Sequence, residues 1–98
     1  MSAYLIANIE VTDPDGFAAY GRLVAPLVAS TGGKYLVRGG ALTKVEGDLP
    51  LQRLVILEYP TMAALRAFYD GEAYAPIKAM REKASKSDIS LVEGYAAP

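Results

Sequence analysis

The sequence predicts an α+β domain, an antiparallel four-stranded sheet with its helices on one side. Three observations predict it. Runs of alternating apolar and polar residues are interleaved with runs of helical period in the order βαββαβ. Glycine and proline mark the joins, with Gly32-Gly33 and Gly39-Gly40 on either side of a short β-run. The strands carry aliphatic side chains on both faces, more than the helices of one chain can cover.

Ala3 to Val11 reads as the first strand. Leu5, Ala7, Ile9 and Val11 share one face, and Tyr4, Ile6, Asn8 and Glu10 the other. Thr12-Asp13-Pro14 then starts a helix, with Asp13 as cap and Pro14 at the first helical position. Phe17, Tyr20, Val24, Leu27 and Val28 make its buried stripe. Pro26 removes one backbone bond, which predicts a kink or early fraying. Gly32-Gly33 closes the helix, because glycine enters the left-handed C-cap region at no steric cost.

Lys34 to Arg38 is the second strand, and Gly39-Gly40 marks a bulge or a close backbone approach. Ala41 to Glu46 also alternates and reads as a further strand piece before the turn Gly47-Asp48-Leu49-Pro50. Gln52 to Tyr59 is the third strand. Leu54, Ile56 and Glu58 lie on one face, Arg53, Val55, Leu57 and Tyr59 on the other. Thr61 caps a helix with the stripe Leu65, Phe68 and Tyr69. Asp70-Gly71 breaks it, and a further helix starts near Tyr74, with Ala73, Ile77, Met80 and Ala84 on its buried side. Arg81, Lys83 and Lys86 suit a helix C-terminus. Ser87 to Tyr95 is the last strand, and residues 96–98 are a tail.

This order is that of a ferredoxin-like sandwich. The 98 residues make one domain, 1–98. Tyr4, Ile6, Leu36, Leu54 and Ile56 are left on the face the helices do not cover. The simplest cover is a second copy, so a homodimer through the sheet faces is expected. The apolar fraction of 52% fits more buried surface than one small core needs.

Composition excludes several classes of chemistry. Net charge is −1, with 10 basic and 11 acidic residues, so neither a nucleic acid nor a membrane surface is an expected partner. With no cysteine there is no disulfide frame and no thiolate nucleophile. With no histidine, Ser-His-Asp chemistry is impossible and the commonest metal and haem ligand is missing. No metal and no cofactor is expected. No stretch resembles a signal peptide or a spanning helix, so the expected location is cytoplasmic.

One combination of segments resembles a known family. It runs Gly32-Gly33-Lys34-Tyr35-Leu36-Val37-Arg38-Gly39-Gly40, then Glu46-Gly47-Asp48, then Arg53-Leu54-Val55-Ile56-Leu57-Glu58-Tyr59-Pro60. Phe68-Tyr69 with Glu72-Ala73-Tyr74 follows, and then Leu91-Val92-Glu93-Gly94. Together these resemble the domain of unknown function 1330 family, over nearly the whole chain. Tyr59 stands where the family often has Phe, and Gly71 where Ser is frequent. The resemblance implies the dimeric α/β-barrel superfamily, a ferredoxin-like protomer and a barrel made by two chains. Relatives in that superfamily include cofactor-free monooxygenases, muconolactone-type isomerases, haem-binding proteins and stress-response barrels. The family's own activity is not established.

If Leu54 and Ile56 face the barrel interior, Glu58 does too, and by alternation Arg38 joins Leu36 there. Arg38 and Glu58 are therefore the catalytic candidates, an anion holder beside a general base, with Asn8 and Glu10 nearby on the same face. Tyr69 and Tyr74 flank the Asp70-Gly71 break as candidate substrate-binding residues. Two functions stay open. One is a cofactor-free enzyme acting on a small organic acid or aromatic metabolite in the barrel cavity. The other is a non-catalytic binding or structural dimer, in which Arg38–Glu58 is an ion pair and the tyrosines are packing.

Overall fold

The computed structural model describes residues 1–96. Its elements are β1 (Ala3–Val11), α1 (Pro14–Ser30), β2 (Lys34–Arg38), β3 (Leu54–Tyr59), α2 (Met62–Tyr69), α3 (Ala75–Ala84) and β4 (Ser85–Glu93). The sheet order is β2-β3-β1-β4, and every neighbouring pair is antiparallel. This is the ferredoxin-like α+β arrangement. The thinnest extent is 16 Å, one sheet with one layer of helices.

Local signals act where the sequence places them. The Asp13 carboxylate accepts the Gly16 N–H at 3.2 Å, and the Thr61 hydroxyl accepts the Ala64 N–H at 3.0 Å, so both helices start on a side-chain cap. At the end of α1, Gly32 takes φ +92° and donates to Ala29 O, while Gly33 N–H reaches back to Val28 O at 3.0 Å. These two bonds satisfy carbonyls the helix leaves free. A Cβ on Gly33 would overlap the Tyr59 ring. Tyr59 is fully buried, and its hydroxyl pairs with Thr31 Oγ1 at 2.7 Å. The glycine pair therefore ends α1 and also lets the chain pass over β3.

The core is the helix face of the sheet: Ala3, Leu5, Ala7 and Ile9 of β1, then Leu57 and Tyr59 of β3. Tyr20, Val24 and Val28 close it from α1, Leu65 and Phe68 from α2, and Tyr74 from the start of α3. On the opposite face Ile6, Leu36 and Val92 are exposed, and Tyr4, Leu54 and Ile56 are half-buried.

Four expectations need correction. Helix α1 continues through Pro26 to Ser30 without early fraying, since the buried Val24 and Val28 hold its last turns to the core. Ala41 to Glu46 forms no strand. An alternating run becomes a strand only with a ladder partner, and β3 is already flanked by β2 and β1. β3 starts at Leu54 rather than Gln52, because residues 39–53 form a loop pinned from the side. Asn8 Nδ2 donates to Pro50 O at 3.1 Å, and Asn8 Oδ1 accepts the Gln52 N–H at 2.8 Å. β4 starts at Ser85, directly from α3, because its ladder to β1 runs on to Val11. The expected tail begins at Ala96, and residues 97 and 98 lie outside the described residues.

Candidate functional site

The site begins with an irregularity in β2. Tyr35 pairs with Leu57, but the next partners are Val37 with Ile56 and Arg38 with Val55. One extra residue is inserted between Tyr35 and Val37. Side chains alternate with period two, so one extra residue turns everything after it to the other face. Arg38 consequently joins Val55 and Leu57 on the helix face. Its guanidinium lies 4.6 Å from the Tyr35 ring centroid, and a Cβ on Gly21 of α1 would sit 3.6 Å from Arg38 Nη2.

Glu58 stays on the open face. Its Oε1 is 3.3 Å from Lys34 Nζ, and it stands across the ladder from Tyr4. Arg38 and Glu58 are therefore on opposite sides of the sheet and form no common site. Strict alternation from Leu36 fails because of the bulge. Asn8 and Glu10 also lie on the open face, and there they secure the loop. Glu10 Oε1 accepts from Gln52 Nε2 at 3.3 Å. Together with Lys86 and Asp88 they line a small recess of about 250 Å³.

A larger cavity of about 550 Å³ lies between the helix face and α1. Leu5, Ala7, Ile9, Val55 and Leu57 form its floor, and Phe17, Tyr20, Val24, Phe68 and Tyr74 face them. Its charged side chains are all cationic. Arg38, Arg53 and Arg81 line it, with Arg22 also contributing, and no described lining residue is Asp or Glu. No described carboxylate is within ion-pair distance of these arginines.

Each arginine is held by its own local structure. Arg81 extends from the buried side of α3 and is only 5% exposed. Its Nη1 donates to the Tyr74 hydroxyl at 2.9 Å, and that oxygen is 2.9 Å from the Tyr20 hydroxyl. Burial works against the Arg81 charge, but the phenols of Tyr74 and Tyr69 outweigh it, so its pKa lies above the ordinary arginine value. Arg53 precedes β3, with its guanidinium 5.4 Å from the Phe17 ring centroid. It packs against the backbone at Gly39, where φ is +70° and a Cβ would overlap the guanidinium. Gly39 is thus a close approach, while the bulge lies earlier, within β2. The Nε atoms of Arg53 and Arg81 are buried with no hydrogen-bond partner. Buried donors left unmatched are costly, and both side chains belong to residues that line the cavity.

Three tyrosines supply the neutral polar groups. Burial, followed by the neighbouring Tyr74 phenol, pushes Tyr20 far above the ordinary tyrosine pKa, so it keeps its proton. Burial likewise raises Tyr35. Tyr74, a candidate from the sequence, is buried and lines the cavity. Tyr69 stands behind it, 5.6 Å away between ring centroids, with Lys78 Nζ 4.9 Å from its own ring.

Arg53, Arg81, Tyr20 and Tyr35 were not among the residues singled out from the sequence. Arg53 nevertheless shares a strand face with Val55, Leu57 and Tyr59, and a charge on an otherwise apolar core face is a usable signal. Arg81 falls four residues after Ile77 and three before Ala84, within the buried stripe of α3. Among the described residues no three Asp or Glu come together as a cation site, and no helix is long and apolar enough to cross a membrane.

The family model for a domain of unknown function, DUF1330, matches residues 2–95. No functionally curated protein matches the sequence. Among solved structures the fold is similar to the methylated RPA0582 protein of Rhodopseudomonas palustris, itself of unknown function. That match has 21% identity and a TM-score of 0.74, over 97% of this chain and 82% of that one. SnoaB of Streptomyces nogalater, a cofactor-independent oxygenase, matches at 16% identity and TM-score 0.65, over 98% of this chain and 95% of its own. Rv0793 of Mycobacterium tuberculosis matches at 16% identity and TM-score 0.61, over 99% and 98%. At these identities the likeness is one of fold.

Proposed function

The chain belongs to the DUF1330 family, and we propose that it is a cofactor-free enzyme that binds a small organic anion in the cavity between its sheet and helices. One observation carries this reading: an apolar cavity is lined by Arg38, Arg53 and Arg81 and by no described carboxylate. Arg81 is buried and Arg53 half-buried, and a cation taken out of water needs a neutralising partner, which a ligand carboxylate or enolate supplies. The aromatic walls, Phe17, Tyr35 and Phe68, suit a flat or ring-bearing body. Tyr74 is the group placed to move a proton. Its hydroxyl accepts from Arg81 Nη1 and lies 2.9 Å from the Tyr20 hydroxyl, which fixes it in place beside the cavity. That one protein of this fold is a cofactor-independent oxygenase is compatible with turnover without a prosthetic group.

The open face supports a homodimer. Ile6, Leu36 and Val92 are exposed there, and covering them with a second sheet gains roughly 25 cal/mol per Å² before the cost of association. Sedimentation at micromolar concentration should give twice the chain mass.

One observation favours a binding protein without turnover. Glu10 and Glu58, the carboxylates nearest to a base role, lie on the other face, so no described residue gives the cavity a carboxylate base. Native mass spectrometry of freshly purified protein tests the shared part of both readings. A retained organic acid is expected, and Arg81→Met should lose it while remaining folded. Slow conversion of that acid by wild type, abolished in Tyr74→Phe, separates the enzyme from the binder.

A further inference from the structure

From the surplus of cationic groups we infer that the cavity takes a dianion, a ring-bearing body with two separate acidic groups. This rests on the anion-binding reading above and narrows it. A single carboxylate satisfies one guanidinium, usually through two parallel hydrogen bonds. Four arginines, Arg22, Arg38, Arg53 and Arg81, line this cavity, and none has a described carboxylate partner.

Three of these arginines come from two different parts of the fold. Arg81 belongs to α3 and is tied to Tyr74 and Tyr20. Arg38 and Arg53 come from the end of β2 and the approach to β3, beside Tyr35, Phe17 and Gly39. Buried Nε groups without partners occur in both sets, one in Arg81 and one in Arg53. A monoanion bound at either set leaves the other unmatched. Two acidic groups on one apolar body answer both, and the apolar floor of Leu5, Ala7 and Leu57 accommodates that body.

Isothermal titration with ring carboxylates tests this. Benzoate is the monoanion probe, and phthalate, isophthalate and terephthalate present two carboxylates at increasing separation, all at one ionic strength. At least one dicarboxylate should bind about tenfold or more tighter than benzoate, the gain of one further charge-assisted contact. Arg38→Gln, which removes one cation of the second set, should bring the dicarboxylate's affinity down toward that of benzoate measured in the same variant. If no dicarboxylate exceeds benzoate, or if the preference survives in Arg38→Gln, the dianion inference is overturned and the anion reading stands. If none of the four acids binds, both are overturned.

Discussion

On the helix face of the sheet Leu5, Ala7, Ile9, Leu57 and Tyr59 are sealed, whereas on the open face Ile6, Leu36 and Val92 remain in solvent. The strands that build the two faces are the same. What differs is the partner each face meets. The helix face is filled by apolar side chains from α1, α2 and α3, except where a cavity is lined by arginines. Among the described residues the open face has one ion pair, Lys34–Glu58, and a loop tied down by Asn8. The lesson is that chemistry follows burial. A guanidinium on the helix face is held among phenols and rings, while a carboxylate on the open face is paired by an exposed lysine. The sidedness makes each face separately breakable.

The largest effect belongs to the sealed face. Leu57→Ala should cost about 2–5 kcal/mol of stability, the usual range for a buried leucine, read as a lower denaturation midpoint at unchanged slope. Its neighbour Ile56 tests the other face. Ile56→Lys places a charge where a second copy is proposed to pack, so sedimentation should show the dimer lost. An unchanged dimer would remove the open face as the interface.

Next comes the joint between the cavity and the chain. Gly39→Ala forces a side chain into φ +70°, at roughly 1–2 kcal/mol. The new Cβ also displaces the Arg53 guanidinium. The expected result is therefore double: a modest fall in thermal midpoint and a clear fall in anion affinity. A stability loss without any affinity loss would take Arg53 out of the site.

How much of this was legible in the sequence depends on period and on partners. β1 could be read to the residue because nine positions alternate without interruption, and its two ladders leave it no freedom. The end of α1 was legible because only glycine meets the demands at positions 32 and 33. Arg38 was misassigned because a bulge inside a five-residue strand leaves no trace in hydropathy: Leu36 and Val37 are both apolar. Ala41 to Glu46 had the right alternation but joins no ladder, which is a tertiary fact. Tyr74 was found through its place at the helix break. Arg53 and Arg81 were overlooked because each had an ordinary local explanation, and only packing shows that both point to one cavity.

Alkaline solution tests the sealed phenols. Tyr20, Tyr35 and Tyr59 all have pKa values raised chiefly by burial. Their folded values lie above that of the unfolded chain, about 10, so this stabilisation is fully present below pH 10 and is lost as pH rises beyond it. The unfolded chain releases protons that the folded chain keeps, and stability should fall with a slope of up to about 1.4 kcal/mol per pH unit for Tyr20 alone. Tyr20→Phe should flatten the decline above pH 10. An identical slope in the variant would mean that Tyr20 is not sealed from solvent.

The smallest expected effect is also the sharpest test of sidedness. Glu58 makes its ion pair with Lys34, whose side chain is 69% exposed, and such pairs contribute about 0–1 kcal/mol. Glu58→Gln keeps the shape and removes the charge, so the stability change should stay below about 1 kcal/mol. Because Glu58 faces away from the cavity, anion affinity measured by titration should be unchanged, while Arg38→Gln in the same assay weakens dicarboxylate binding. The two residues lie on adjacent strands, and the bulge after Tyr35 sends them to opposite faces. If Glu58→Gln altered anion affinity as strongly as Arg38→Gln, the two would share one site, and the opposition between the faces of this sheet would fail in solution.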